Sequence, residues 1–215
     1  MSNKIGTLYH YVHCPFCVRV RMALGFLNKN YESKVLSYDD EQTPVGLSGV
    51  KMLPIWQGED GTTLNESLDI IRHLDPDNSL ACTPELNSSL EPLLNKLGSN
   101  VHNLAMPYWM WTPEFTPSAR EYFEVKKSKK RGPFNKLVAR RSEFETALQN
   151  DLNELQRDFK PWFQASEFSL ADIMIASHLW GLYIVPEFRF SDQMHSYLQA
   201  VKKRCQFDYH LDFWR

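Results

Sequence analysis

The sequence predicts an α/β domain of order βαβαββα over residues 1–75, a linker over 76–84 and an all-helical domain over 85–215. Three observations carry this. Strand and helix patterns alternate through the first 75 residues; "DPDNS", Asp75 to Ser79, then breaks the pattern; and beyond it every long apolar run keeps helical spacing.

Ile5 to Tyr11 alternates apolar and polar residues as a half-buried strand does. Val20, Ala23, Leu24 and Leu27 then recur at i, i+3, i+4 and i+7, so the next element is a helix with one buried face. Tyr31 to Tyr38 is a second strand. "QTPVGLSG" is a short helix with Thr43 as cap, Pro44 in its first turn and Gly49 at its end. "LPIWQ" and "TTLNE" flank "GEDG", whose Asp60-Gly61 pair is a hairpin signal. Leu68, Ile71 and Leu74 open another helix. In the second half, helical spacing joins Leu90, Leu93, Leu94, Leu97, Val101 and Leu104, then Phe144 to Phe159, then Ile173 to Ile184. Helix starts are marked by Thr116-Pro117 and by "FSLAD", where Ser169 and Asp172 form a capping box and Phe168 is placed to staple against Ile173.

The chain has 215 residues, 43% of them hydrophobic, and a net charge of -2. It can bury a substantial core, and it lacks the global positive charge that general nucleic-acid binding needs. No apolar run is long enough to span a bilayer, and "MSNKIGTLYH" has no signal core, so the expected location is cytoplasmic. The basic run "KKSKKR", Lys126 to Arg131, is read as a solvated helix end, with an anionic partner as the alternative. "YWMW", Tyr108 to Trp111, suits either interdomain packing or the lining of an apolar pocket. His102 and His178 are isolated. The C-terminal "CQFDYHLDFWR" matches no pattern.

Cys14 and Cys17 stand three apart at the junction of the first strand and helix, while Cys82 and Cys205 are single and are read as packed or surface thiols. A structural zinc needs two such pairs, and no second pair exists, so no metal is expected. Thiol redox chemistry is favoured over inert burial. At the helix N-terminus the first cysteine meets unpaired backbone N–H groups, which favour its thiolate. Cys14 is then the nucleophile and Cys17, one turn in, the resolving thiol. Pro15 suits the first helical turn, and Phe16 shields the pair and offers a face to a substrate. His13 either tunes Cys14 electrostatically or faces solvent.

Strand, "CPFC", helix, then "LP" before a hairpin and "ES" at the next helix resemble a glutaredoxin of the thioredoxin fold. The helical part behind it looks like the glutathione-transferase architecture. "HCPFCVRVRM", "GVKMLPI", "LNESLDIIRHLD" and "EFTPSAREYFEVKK" are similar to the glutaredoxin 2 family of two-domain bacterial dithiol glutaredoxins. Phe16 replaces the tyrosine of the common "CPYC".

The resemblance implies a thioredoxin-like N-terminal domain, a glutathione-transferase-like C-terminal domain, and glutathione as reductant and co-substrate. It also implies roles. Pro54 would be a cis-proline facing the redox pair, and Leu53 would pair its main chain with the cysteinyl part of glutathione. Glu66 would hold the γ-glutamyl ammonium; Ser67 and its helix N-terminus would receive the α-carboxylate. Without the resemblance both are ordinary capping residues. Lys51 would meet the glycine carboxylate. The expected partners are glutathione and disulfide or glutathionylated proteins, with the chain acting as a monomer, without nucleic acid or membrane. Two rival functions stand beside this one: a glutathione transferase or dehydroascorbate reductase using the aromatic cleft, and a glutathione-binding or iron-sulfur adaptor module.

Overall fold

In the computed structural model, residues 4–209 and Leu211 are described. The last residues of the unplaced C-terminal stretch, His210 and 212–215, lie outside them. The observed order begins with β1 (Gly6–His10), α1 (Pro15–Phe26), β2 (Glu32–Val35), α2 (Gln42–Ser48), β3 (Ile55–Gly58), β4 (Thr63–Leu64) and α3 (Ser67–Leu74), the predicted βαβαββα. The sheet runs β2-β1-β3-β4. β1 lies parallel to β2, with Thr7 opposite Glu32, and antiparallel to β3, with Leu8 opposite Trp56. β3 and β4 form the hairpin across the Asp60-Gly61 turn.

One helix start differs from expectation. α2 begins at Gln42 rather than after a Thr43 cap, because the Asp40 carboxylate accepts the Thr43 N–H at 3.0 Å and so stabilises the first turn from outside it. Gly49 ends that helix in the left-handed region at φ 79°.

The segment after α3 is pinned rather than loose. The Asp75 carboxylate accepts the N–H groups of Ser79 and Leu80, at 2.9 and 2.8 Å, and Leu170 N–H donates to Leu80 O. The helical part comprises α4 (Pro84–Trp109), α5 (Pro117–Arg131), α6 (Phe134–Ala139), α7 (Arg141–Leu155), α8 (Leu170–Leu179) and α9 (Asp192–Arg204). Thr116 caps α5 as predicted, accepting from Ala119 N–H, and Ser169 with Asp172 closes the capping box on α8. Asp172 is fully buried and also accepts the N–H of Phe163 and the hydroxyl of Tyr197, so it ties three segments together.

Two helices end sooner than their apolar spacing suggested. α8 stops at Leu179 and tightens into a 3₁₀ turn over Trp180–Ile184, where the Trp109 indole packs on Gly181 and donates to its carbonyl at 3.3 Å. α7 stops at Leu155 and tightens into a 3₁₀ turn over Gln156–Asp158, where Gln156 folds its side-chain amide back onto Leu152 O.

α1 sets the position of the cysteines. Pro15, Cys17, Val18, Arg19, Val20, Met22, Ala23 and Leu24 are all buried, so this helix is covered on nearly every face. It packs on α3 in its own domain and on α8 in the other. A helix buried all round lies between two layers, and its N-terminus therefore opens into the seam between the domains.

Candidate active site

Cys14 is the N-cap of α1, with extended backbone angles and no side-chain cap bond, and Pro15 follows in the first turn. The sulfur is half-buried and the thiol free. Its pKa is lowered to about 6. The largest cause is a hydrogen bond from the Cys17 thiol; burial opposes it, and the charge of His13 and the N–H groups of Cys17 and Phe16 act with it. Cys17 is fully buried, accepts the Tyr11 N–H at 3.4 Å, and has its pKa driven well up by burial and by the Cys14 sulfur beside it. The two thiols are thus separated into a thiolate facing a cavity and a neutral donor behind it.

His13 is buried, which removes the solvent-facing reading. Its ring lies among Tyr11, Tyr38, Trp109, Phe115 and Phe123, with centroids 5.0 to 5.8 Å away. Glu114 holds it there. One carboxylate oxygen accepts both the His13 N–H at 3.0 Å and Nδ1 at 2.8 Å, and the other accepts the Val12 N–H at 2.8 Å. This buried carboxylate belongs to the helical domain, so the loop before the nucleophile is fastened across the seam. No spacing in the sequence signals that role, which reasoning from motifs missed.

The Leu53–Pro54 bond is cis, Pro54 is buried, and Leu53 borders the same cavity of about 290 Å³ as Cys14, Pro15, Phe16, Tyr38 and Lys127. Phe16, with 46% of its surface exposed, stands between this cavity and two others. Trp109 of the aromatic run borders the Cys14 cavity and packs in the interdomain core, while Trp111 is exposed under the Arg120 guanidinium.

The remaining expected residues lie one step away. Glu66 caps α3 by position but makes no side-chain cap bond, and is exposed. Ser67 is buried, its hydroxyl accepting from Arg19 Nη1 at 3.2 Å. Neither borders the Cys14 cavity. Leu68 does border the neighbouring one, together with Phe16 and Arg19. Lys51 Nζ donates to Tyr38 O at 2.8 Å, sits 3.5 Å from Glu41 and covers the Tyr122 ring, so its ammonium is placed behind Tyr38. Among the described residues no group of three or more His, Cys, Asp or Glu could hold a metal.

The Glutaredoxin 2 C-terminal domain family matches residues 80–210, and the glutathione S-transferase N-terminal domain family matches residues 13–76. Glutaredoxin 2 of Escherichia coli K12 is 32% identical over 204 residues, which cover 93% of this chain and 95% of that protein. Glutaredoxin 2 of Salmonella typhimurium, solved in complex with glutathione, superposes with a TM-score of 0.86 at 33% identity, over 96% of this chain and 97% of that one. A glutathione transferase of Phanerochaete chrysosporium shares the fold at 15% identity, with a TM-score of 0.77 over 96% and 99% of the two chains.

Proposed function

The chain belongs to the glutaredoxin 2 family, a glutathione-dependent thiol–disulfide oxidoreductase family, and from that premise we propose the roles of its residues. The enzyme reduces disulfides with glutathione as its reductant. The observation that carries the residue assignment is the split between the two thiols, one lowered to about 6 and facing a cavity, the other buried and raised.

The Cys14 thiolate attacks the glutathione sulfur of a mixed disulfide. The S–S bond breaks, the partner leaves as a thiolate that takes up a proton, and Cys14 is left joined to glutathione. A second glutathione thiolate then attacks that adduct, restoring Cys14 and releasing oxidised glutathione. The sum is one mixed disulfide and one glutathione converted to one thiol and one glutathione disulfide. For a protein disulfide, Cys17 gives up its proton and displaces the partner, leaving a Cys14–Cys17 disulfide that two glutathiones reduce.

Leu53, held by the cis bond beside Cys14, offers its main chain to the cysteinyl part of glutathione, with Pro15 and Phe16 forming the adjoining wall. Glu66 takes the ammonium of the γ-glutamyl end, and Ser67 with the α3 N-terminus takes its carboxylate. Lys51 meets the glycine carboxylate by exchanging its long contact with Glu41. The natural setting is a cytoplasmic monomer acting on disulfide and glutathionylated proteins.

The test is glutathione-dependent reduction of a small mixed disulfide, coupled to glutathione reductase. Cys14→Ser should be inactive, and Cys17→Ser should lose protein-disulfide reduction while retaining deglutathionylation. Wild-type turnover by Cys14→Ser would overturn the assignment, and conjugation of a model electrophile outpacing disulfide reduction would move the activity to the transferase class.

A further inference from the structure

The cavity at Cys14 adjoins a larger one. It shares Phe16, His102, Lys130 and Arg131 with a second cavity of about 610 Å³ that runs along α4, so the two form one channel leading away from the sulfur. Among the described residues no Asp or Glu lines either part. Three cations of α5 do.

Lys127 is half-buried and lies over the faces of Tyr38 and Phe123, each 5.8 Å from its ammonium. Its charged neighbours are Cys14 and three further cations, Lys126, Lys130 and Arg131. Arg131 donates to Ser99 O at 3.2 Å and Asn103 Oδ1 at 2.7 Å and lies 3.3 Å from His102 Nδ1, all uncharged acceptors. Burial pushes His102 well below its ordinary range and His178 to about 4, so both rings are neutral at pH 7; Lys127, Lys130 and Arg131 are the α5 cations along the channel, with the Cys14 thiolate as the anion at its inner end. Among the described residues no carboxylate pairs with these three. Across Phe16, Glu91 borders the third cavity with Arg19.

Half-burying Lys127 with no carboxylate paired to it among the described residues costs free energy, which the Cys14 thiolate offsets in part and a bound anion would offset further once Cys14 is joined to glutathione. A like-signed wall also focuses the field along the channel and raises the local concentration of the opposite charge. We infer that Lys127, Lys130 and Arg131 form the site for the second substrate, and that it selects disulfides carried on acidic protein segments, whose carboxylates occupy the channel beyond the glutathione bound at Cys14. This rests on the glutaredoxin reading above. It also takes up the anionic-partner alternative for the basic run of α5, whose first reading was a solvated helix end.

The experiment compares two glutathionylated peptides of equal length, one with Asp and Glu flanking its cysteine and one with Lys. Bis(2-hydroxyethyl) disulfide serves as an uncharged reference. At low salt kcat/KM should favour the acidic peptide by about tenfold, and the preference should fade toward unity near 0.5 M salt, where screening reaches only a few ångströms. Lys130→Glu, at an exposed position, should reduce the acidic-to-basic ratio by at least threefold. No turnover of the reference disulfide would sink the glutaredoxin reading itself. Turnover of the reference with equal rates on both peptides would overturn the acidic-partner inference alone. A Lys130→Glu effect confined to the KM for glutathione, with the peptide ratio unmoved, would also overturn it, assigning the cations to the resolving glutathione.

Discussion

Replacing Cys17 with alanine should move the titration of Cys14 upward. The hydrogen bond from the Cys17 thiol is the largest influence holding Cys14 at about 6. A hydrogen bond to a charged group is worth about 1.5–3 kcal/mol, and one pKa unit corresponds to about 1.36 kcal/mol, so its loss shifts the pKa by about 1–2 units. The sulfur is half-buried, which places the expected shift at the lower end, near one unit. At pH 6 the thiolate fraction then falls from roughly half to about a tenth. The more basic thiolate is intrinsically about threefold more nucleophilic, by a Brønsted coefficient of about 0.4–0.5. Iodoacetamide should therefore alkylate the alanine variant about twofold more slowly at pH 6 and about threefold faster at pH 9. Thiolate absorbance near 240 nm gives the same midpoint independently. Cys17→Ser keeps a donor at this position and should titrate close to wild type. An unmoved midpoint in Cys17→Ala, or equal shifts in the two variants, would refute the view that the buried thiol activates its partner.

Glu114→Gln retains the size of the side chain but leaves three donors to one good acceptor oxygen. Stability in urea should drop by about 1–3 kcal/mol, because buried donors lose a charged acceptor. An unchanged urea midpoint would show that this carboxylate does not fasten the loop before Cys14. Gly25→Ala would set a Cβ 1.9 Å from the Cys205 carbonyl oxygen, forcing α1 off the C-terminal segment; despite a helix-propensity gain of about 1 kcal/mol, a net loss of about 1–3 kcal/mol should lower Tm. Acid should unfold the protein through its buried histidines. His10 is lowered to about 3 and His178 to about 4, in each case first by burial, so between those values and the ordinary 6.5 the unfolded chain binds the protons and the folded one does not. Stability is full above pH 6.5 and falls on acidification, by up to about 1.4 kcal/mol per pH unit for each histidine. A Tm unchanged between pH 7 and pH 4.5 would contradict this.

What could be read along the chain is what short-range forces write there. The capping box of Ser169 and Asp172, the Thr116 cap, the Asp60-Gly61 turn and the run of strands and helices to Leu74 depend on hydrogen bonds and side-chain periods within a few residues, so each leaves a local pattern. The same holds for "CPFC", whose chemistry follows from a sulfur at a helix start. The helical spacing of Val20, Ala23 and Leu24 promised one buried face on α1, whereas the fold covers nearly all of it, because the second domain supplies a partner surface that no period within the helix can announce.

The rest of the site was decided by tertiary contact. Glu114 reaches Val12 and His13 across more than a hundred residues of sequence, and a lone glutamate before a cap carries no mark of that distant pairing. The burial of His13, the cavity beside Lys127 and the neutrality of His102 and His178 likewise arise where α4, α5 and α8 close over the end of α1. The sequence alone determined that Cys14 and Cys17 form a thiol pair at the mouth of a thioredoxin-like domain. The tertiary structure decided which charges surround that pair, because burial and Coulombic interaction depend on distance through space, and helices remote in sequence set those distances.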